Sequence, residues 1–366
     1  MKALRKHTFE PDYAVPPGES VKETMEALGM TQRELADRTG LTVQTLNRIF
    51  KGEQPISYET ANKLELVTGT PANFWNNLEA QYREQLTKLE EKAALGASLA
   101  WLKTIPVAEL VTRKVIPAAD DPVLTLRETL RFYGVSSVAA WATIWEQPRA
   151  AARRCIHFES SPGPTSAWLR LGQLKARDIQ CAPYSKTRFL EVLAQVRTFT
   201  TRPPDQFLPE MIRLCASAGV ALALVPEIKK APWSGAAEWL TPEKAMILLN
   251  LRGKSEDRFW FTFFHEASHI LHDSKKEQHI DDGKTYADDP AERRADEFAA
   301  EMLIPRKHDP AIRAARSAAG LRQIAVTVGV CPGIVAGRYQ HLTKRWTHFH
   351  DLKRKFHWAE DTDSGE

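Results

Sequence analysis

The stretch FWFTFFHEASHILHDS, residues 259–274, contains three residues whose types and spacing could support hydrolytic chemistry. On an α-helix, positions four apart lie on one face, so His265 and His269 can turn a nitrogen toward the same ion. Glu266 is offset by one position. It is placed to hold the water that the metal activates rather than to hold the metal, which is the division of labour in an H-E-x-x-H motif. The motif fixes only three positions, and two histidines on a buried helix would satisfy it equally. A zinc site of this kind needs a third protein ligand and one open position. His272, three residues after His269, is one candidate, but one helix cannot wrap an ion, and a position beside the ligands or facing substrate suits it better.

A second acidic pair lies downstream in DDPAERRADEFAAEMLIP. Glu292 and Asp296 fall four apart on a predicted helix that Phe298, Met302 and Leu303 mark as half buried. This spacing resembles the thermolysin-like arrangement. The resemblance implies that Glu292 is the third zinc ligand and that Asp296 fixes a ligand histidine from behind. Between the two helices, His279 and Tyr286 are alternative donors to an oxyanion. Asp257 is placed to cap the motif helix. Upstream, GVALALVP reads as a short buried strand, and SGAAEWLTPEKAMILLNL as two strands around a TPEK turn. Either SGAAEWL or AMILLNL could offer a sheet edge to an extended peptide. GVALALVPE, SGAAEWL, DRFWFTFFHEASHILH and AERRADEFAAEMLIP together resemble the ImmA/IrrE family of metallopeptidases over about residues 205–305. That resemblance implies a zinc-dependent endopeptidase whose relatives act on repressor proteins in stress or mobile-element circuits. Ser268 departs from it, standing where the family usually has Gly or Ala.

The N-terminal part carries a different signature in MTQRELADRTGLTVQTLNRIFKGEQPIS, residues 30–57. Thr31 followed by Glu34 forms a capping box. Gly40 suits the left-handed conformation of a sharp exit from a helix. Thr42 caps a second helix with Leu46 and Ile49 turned inward, and Ser57 starts another. This is a helix-turn-helix layout, in which the second helix enters the major groove. Gln44, Thr45, Asn47 and Arg48 are left facing outward, with side chains suited to adenine and guanine edges, and Gln32 is placed for a phosphate contact. PGESVKETMEALGMTQRELADRTGL, LNRIFKGEQPIS and TGTPANFWNNLEAQYRE resemble Xre-type domains, and more closely antitoxins of the HigA kind, over about residues 8–90. The resemblance implies a helix over Pro71 to Tyr82, with Phe74 and Trp75 packing the domain or building a dimer.

The whole chain sets bounds on these readings. Its 366 residues allow two or three domains, and 43% hydrophobic with 26% charged residues is an ordinary globular composition. The net charge of +4 does not identify a nucleic-acid binder. Residues 1–90 hold eleven Lys or Arg against thirteen Asp or Glu, whereas residues 321–356 hold seven against one. That basic segment, LRQIAVTVGVCPGIVAGRYQHLTKRW onward, repeats the helix–Gly–helix rhythm; its charge could touch nucleic acid, but it reads better as a helical cap on the peptidase. The basic N-terminus has no apolar stretch behind it, and VALALV is too short to span a bilayer, so no membrane association is expected. Cys155, Cys181, Cys215 and Cys331 show no C-x-x-C pairing, as suits reduced thiols in a cytoplasm. Residues 97–205 read as helices broken at TIPV, DDP, SSPGPTS and TRPP, with no assignable chemistry.

The expected fold is mainly α with a small α+β zincin-like domain. It divides into a five-helix Xre-type helix-turn-helix domain at 1–90, a helical middle region at 91–204, a gluzincin-like metallopeptidase at 205–310 and a basic helical segment at 311–366. The expected function is a DNA-binding transcriptional regulator, homodimeric on a two-fold-related operator, fused to a zinc (Zn2+) endopeptidase that cuts a repressor or a toxin–antitoxin partner. The competing expectation is a repressor or antitoxin whose zinc fold serves as a non-catalytic sensor or scaffold.

Overall fold

The computed structural model describes residues 11–146, 162–231, 233–275, 279–281 and 289–359. By packing, the chain falls into two compact units, residues 1–99 and 100–366.

The first unit is five helices: α1 (Pro17–Ala27), α2 (Gln32–Thr39), α3 (Val43–Phe50), α4 (Tyr58–Thr68) and α5 (Ala72–Gly96). The local signals act as expected. The Thr31 hydroxyl accepts from the Glu34 backbone N–H at 3.3 Å, and the Glu34 carboxylate accepts from the Thr31 N–H at 2.8 Å. Gly40 ends α2 at φ 68°, and Thr42 and Ser57 cap α3 and α4. Val21, Leu35, Leu46, Ile49, Leu64 and Trp75 meet in one core. Gly18 lets α1 lie directly on α3, because a Cβ there would sit 2.1 Å from the Ile49 carbonyl oxygen. Trp75 is fully buried and donates its indole N–H to the Thr70 carbonyl, whereas neighbouring Phe74 is 45% exposed.

The second unit contains α6 (Val107–Thr112), α7 (Pro122–Tyr133), α8 (Val138–Trp141), α9 (Pro162–Asp178), α10 (Lys186–Arg197) and α11 (Pro204–Ser217). Three strands follow, β1 (Val220–Leu224), β2 (Gly235–Thr241) and β3 (Lys244–Leu249). After them come α12 (Glu256–His272), β4 (His279–Asp281), α13 (Pro290–Leu303), α14 (Asp309–Ala314), α15 (Ala318–Val328) and α16 (Pro332–Thr343). α9 begins inside SSPGPTS, at Pro162, the residues just before it lying outside the described ones. A first turn needs no intrahelical N–H, so Pro162 and Pro164 are tolerated there.

The sheet has the order β1-β3-β2-β4, with β1 and β3 parallel and the other pairs antiparallel. Val220, Leu222, Ala245, Ile247 and Leu249 share a core with Trp260, Phe263 and Phe264 of α12. The alternate residue Leu248 meets Gly172 of α9, where a Cβ would stand 2.4 Å from its methyl. Helices therefore cover both faces, which is why β1 and β3 read as continuous apolar runs rather than as alternation. Neither proposed edge is a free one along its whole length. β3 is interior, and β4 pairs with β2 at Gly235–Ala237.

The four-part division expected from sequence meets a two-part division by packing. Phe189 and Val196 of α10, Phe207 and Met211 of α11, and Ile334, Val335 and Tyr339 of α16 all join the core around α12. Arg197 bridges these parts, donating to the carbonyls of Met302, Leu303 and Val328 at the ends of α13 and α15. The basic C-terminal segment spends much of its charge on α12. Arg354 pairs with the fully buried Glu256, and Lys353 bonds Asp257 at 2.7 Å. Asp257 is therefore not the cap of α12. The helix starts one residue earlier, behind Ser255, and the Asp257 carboxylate is held by Lys353.

Among the described residues no single helix is long and apolar enough to cross a membrane; α15 and α16 pass such a test only together, across a 113° bend. Cys181, Cys215 and Cys331 are free thiols, and burial raises Cys215 and Cys331 to about 12, so neither is a nucleophile near neutral pH.

Candidate metal centre

α12 is apolar almost all round, which buries it between the sheet, α13 and α16. Its length places His265, Glu266 and His269 deep inside the unit, with 3%, 0% and 3% of their surfaces exposed. α13 packs along it and brings Glu292, 7% exposed, against the two histidines. The three ligand atoms lie within 4.8 Å of one another.

The closer geometry tests whether a metal fits. His265 Nε2 stands 3.1 Å from His269 Nε2 and 3.1 Å from Glu292 Oε2, and His269 Nε2 is 3.6 Å from Glu292 Oε1. Donors about 2.0–2.1 Å from a tetrahedral zinc stand about 3.3–3.4 Å apart, and the separations between the two nitrogens and the Glu292 carboxylate are of that size. The chemistry of the donors agrees. Asp296 Oδ1 lies 3.0 Å from His265 Nδ1, and Asp273 Oδ2 lies 2.6 Å from His269 Nδ1. Each carboxylate holds the proton on Nδ1 of its histidine, which turns an Nε2 lone pair inward on both rings. Burial, and then the neighbouring His265, lower His269 to about 3, so it is a neutral imidazole near pH 7. Two lone pairs and a carboxylate that converge in a buried site repel one another, and a cation between them removes the repulsion. The residues present fit a zinc ion.

Glu266 points elsewhere, toward the sheet. Gly235, the first residue of β2, abuts it so closely that a Cβ would lie 2.5 Å from Glu266 Oε1 and 2.5 Å from the Thr262 methyl. The absence of a side chain at 235 lets the strand backbone come alongside the acid.

The structure thus brings together His265, His269, Glu266, Glu292 and Asp296 and leaves His272 out. His272 is exposed, and its Nδ1 lies 3.0 Å from the Ser268 carbonyl and 3.1 Å from the Ser268 hydroxyl. Ser268 itself is buried, 1% exposed. His279 lies in β4, of which only the backbone is described, and Tyr286 falls outside the described residues. Sequence reasoning missed Asp273, Arg294 and Gly235. Asp273 was findable: it stands four residues after His269, the same spacing that linked Glu292 to Asp296. It is also paired with Arg294 of α13, which fastens the two helices together behind the site.

In the first unit, α3 exposes Gln44, Asn47 and Arg48, with Thr45 half buried beneath them. Thr45 Oγ1 shares a hydrogen bond with Thr42 Oγ1 at 2.9 Å, which occupies it in the cap of the helix. Gln32 does more than reach outward. Its Nε2 donates to Asn47 Oδ1 at 2.9 Å and to the Val43 carbonyl at 3.3 Å, which ties the start of α2 to α3.

A helix-turn-helix unit and a unit built around an H-E-x-x-H helix are also what comparison with known proteins finds. Residues 21–75 match the helix-turn-helix family, and residues 224–338 match the peptidase family described as the IrrE N-terminal-like domain. The chain belongs to the helix-turn-helix transcriptional regulators and carries an IrrE-like peptidase domain. Over 63 residues it is 30% identical to the uncharacterized HTH-type transcriptional regulator YddM of Escherichia coli (strain K12), an alignment that covers 17% of this chain and 67% of that protein. The peptidase match runs on through α15 into α16, in line with the packing of those helices around α12.

Proposed function

We propose that this chain is a cytoplasmic DNA-binding regulator of the Xre/HigA kind whose second unit is a zinc endopeptidase that cleaves a partner protein, a repressor or a member of a toxin–antitoxin pair. The observation that carries the catalytic part is the division of roles on α12. His265 and His269 converge with Glu292, while Glu266, one residue along, turns to the sheet and lies against Gly235. His265, His269 and Glu292 would hold the zinc, with Asp296 and Asp273 fixing the ring orientations. When bound, zinc would supply Lewis acidity, polarising a carbonyl and making water a competent nucleophile at neutral pH. Glu266 would accept the proton of the attacking water and deliver it to the leaving amine. Gly235 lets β2 itself pack against that carboxylate, where a Cβ would stand 2.5 Å from Oε1.

The test is to incubate the zinc-loaded chain with the proteins encoded beside it, with and without a chelator. We expect chelator-sensitive cutting of one of them at a discrete bond. Cutting that survives the chelator would place the activity outside this site. No cutting of any neighbour, across zinc loading and stress conditions, would favour a regulator whose zinc fold is a sensor or scaffold.

The DNA reading rests on α3, and a homodimer on a two-fold-related operator is the form proposed for it. Replacing Gln44, Asn47 or Arg48 by Ala is expected to weaken binding to the operator by about 1–3 kcal/mol each where the residue reads a base. Gln32→Ala and Asn47→Ala should be non-additive in a double-mutant cycle, because the two side chains bond each other. Gel-shift titrations on the upstream region of the gene would measure both. Unchanged binding after removal of residues 1–99 would move the claim to another part of the chain.

A further inference from the structure

The last part of the second unit carries charge of one sign. Residues 304–350 hold eight Lys or Arg against a single acid, Asp309, in a chain whose whole net charge is +4. Packing sorts these residues. Ile312 of α14, Leu321 and Ala325 of α15, and Val335 and Tyr339 of α16 turn inward to the core around α12. Positions between them face out, and Lys307, Arg313, Arg316, Arg322, Lys344 and Arg345 are all exposed. The nearby acids are engaged elsewhere. Asp309 accepts from Arg338 Nε and Nη2 at 2.9 and 2.8 Å, and Glu297 and Glu301 hold the side chain and the backbone N–H of Arg306. Among the described residues none of the six exposed cations forms an ion pair.

The same helices show which contacts with a duplex are open to them. α15 ends at Gly329, in the left-handed conformation at φ 75°, and α16 starts three residues later across a 113° bend. That is the layout of α2, Gly40 and α3 in the first unit. Counted from the glycine, Gly333, Ala336 and Gly337 take the places of Gln44, Asn47 and Arg48. The outward side of α3 is exposed, but this side of α16 is seated on the start of α12. A Cβ on Gly333 would stand 2.0 Å from Glu256 Oε1, and one on Gly337 would stand 2.4 Å from Asp257 Oδ2. The side that would read bases is closed and has no side chain long enough to read them. What remains is charge, and charge binds the phosphate backbone without regard to sequence.

We propose that the outer side of α14, α15 and α16 is a second, sequence-independent DNA surface that grips phosphates of the duplex read by α3, an idea that rests on the DNA reading of the first unit. The first unit creates the need. Residues 1–90 hold eleven Lys or Arg against thirteen Asp or Glu, whereas neutralising phosphates supplies much of the affinity of a DNA-binding protein. The two units are one chain, so a duplex held by α3 is offered to the second unit at high effective concentration, where weak contacts suffice. An acidic protein would meet the same cations. DNA is favoured because the chain already carries a reader for it that lacks backbone charge.

The full-length, zinc-loaded chain is titrated by fluorescence anisotropy against two duplexes of equal length, the upstream region of the gene and a scrambled sequence, at several salt concentrations. In R313Q/R316Q/R322Q/K344Q/R345Q the affinity for both duplexes should fall by the same factor, about tenfold or more. The slope of log K against log salt should become shallower by about 0.9 for each cation that touches phosphate. The charge-keeping variant R313K/R316K/R322K/K344R/R345K should bind as wild type does, which separates charge from folding. Q44A/N47A/R48A should weaken the upstream duplex alone. Failure of the α3 reading therefore shows in that variant, while the scrambled duplex still tests the surface. An unchanged slope in the Gln variant overturns the surface, as does equal loss in the charge-keeping variant. So does a wild-type chain that leaves the scrambled duplex unbound at low salt. Intact DNA binding in the Gln variant, with loss of cleavage or capture of an acidic protein, would give the surface to a protein and overturn the proposal too.

Discussion

Glu266→Gln should retain the fold, the metal and DNA binding while losing peptide cleavage by about 10²-fold or more, the size of a general-base contribution. The argument starts from where the side chain sits. Glu266 is completely buried and abuts Gly235. A shorter replacement would leave a void and a longer one would collide with β2, so only an isosteric change separates chemistry from packing. Gln fills the same volume but carries no basic oxygen for the proton of the attacking water. The metal-binding triangle of His265, His269 and Glu292 does not include it, so zinc content should stay near about one equivalent. The recognition helix belongs to the other unit, so operator affinity should be unchanged. Zinc analysis, a thermal melt and a cleavage time course on the same preparation check the three statements together. Equal cleavage by wild type and E266Q would show that Glu266 is no catalyst.

How much of this could be read from residues alone depended on the range of the interaction. The capping box at Thr31 and Glu34, the left-handed Gly40 and the i, i+4 pairs on α12 and α13 are local, and local geometry follows from a few neighbouring side chains. The strands over 220–224, 235–241 and 244–249 were legible for the same reason, as short apolar runs around a turn. The misses were contacts between distant parts of the chain. Arg354 reaches Glu256 across 98 positions, and neither residue has a neighbour that announces the pair. Asp257 read as a cap because nothing local shows Lys353. The order of the strands was hidden as well, since the pairing of β4 with β2 depends on a segment that follows α12. Gly235 looked like one small residue in a small-residue run. Its meaning, space for Glu266, appears only when the strand is laid against the helix.

Glu292→Ala should strip most of the zinc from the purified chain, and the reason is the number of donors. Zinc held in this way takes three protein ligands, and two histidines from one turn of a helix cannot close the site alone. Glu292 is the donor that a separate helix supplies, 3.1 Å from His265 Nε2 and 3.6 Å from His269 Nε2. Its loss also removes the negative charge that favours a dication there, while the core packing of α13 through Ala295, Ala299 and Leu303 remains. The fold should therefore persist with the metal gone. Asp273→Asn is the graded version of the same test. An amide can present its oxygen to His269 Nδ1 but brings no charge, and it weakens the pairing with Arg294, so zinc affinity should fall by about 10–100-fold without being abolished. His272→Ala should change neither occupancy nor affinity, because its Nδ1 lies against Ser268 and outside the triangle. Elemental analysis gives occupancy, and competition with a chromogenic chelator gives affinity. Full zinc in Glu292→Ala together with loss in His272→Ala would transfer the third ligand to His272. Any ordering other than Glu292→Ala worst, Asp273→Asn intermediate and His272→Ala unchanged would break the link between the converging lone pairs and the metal.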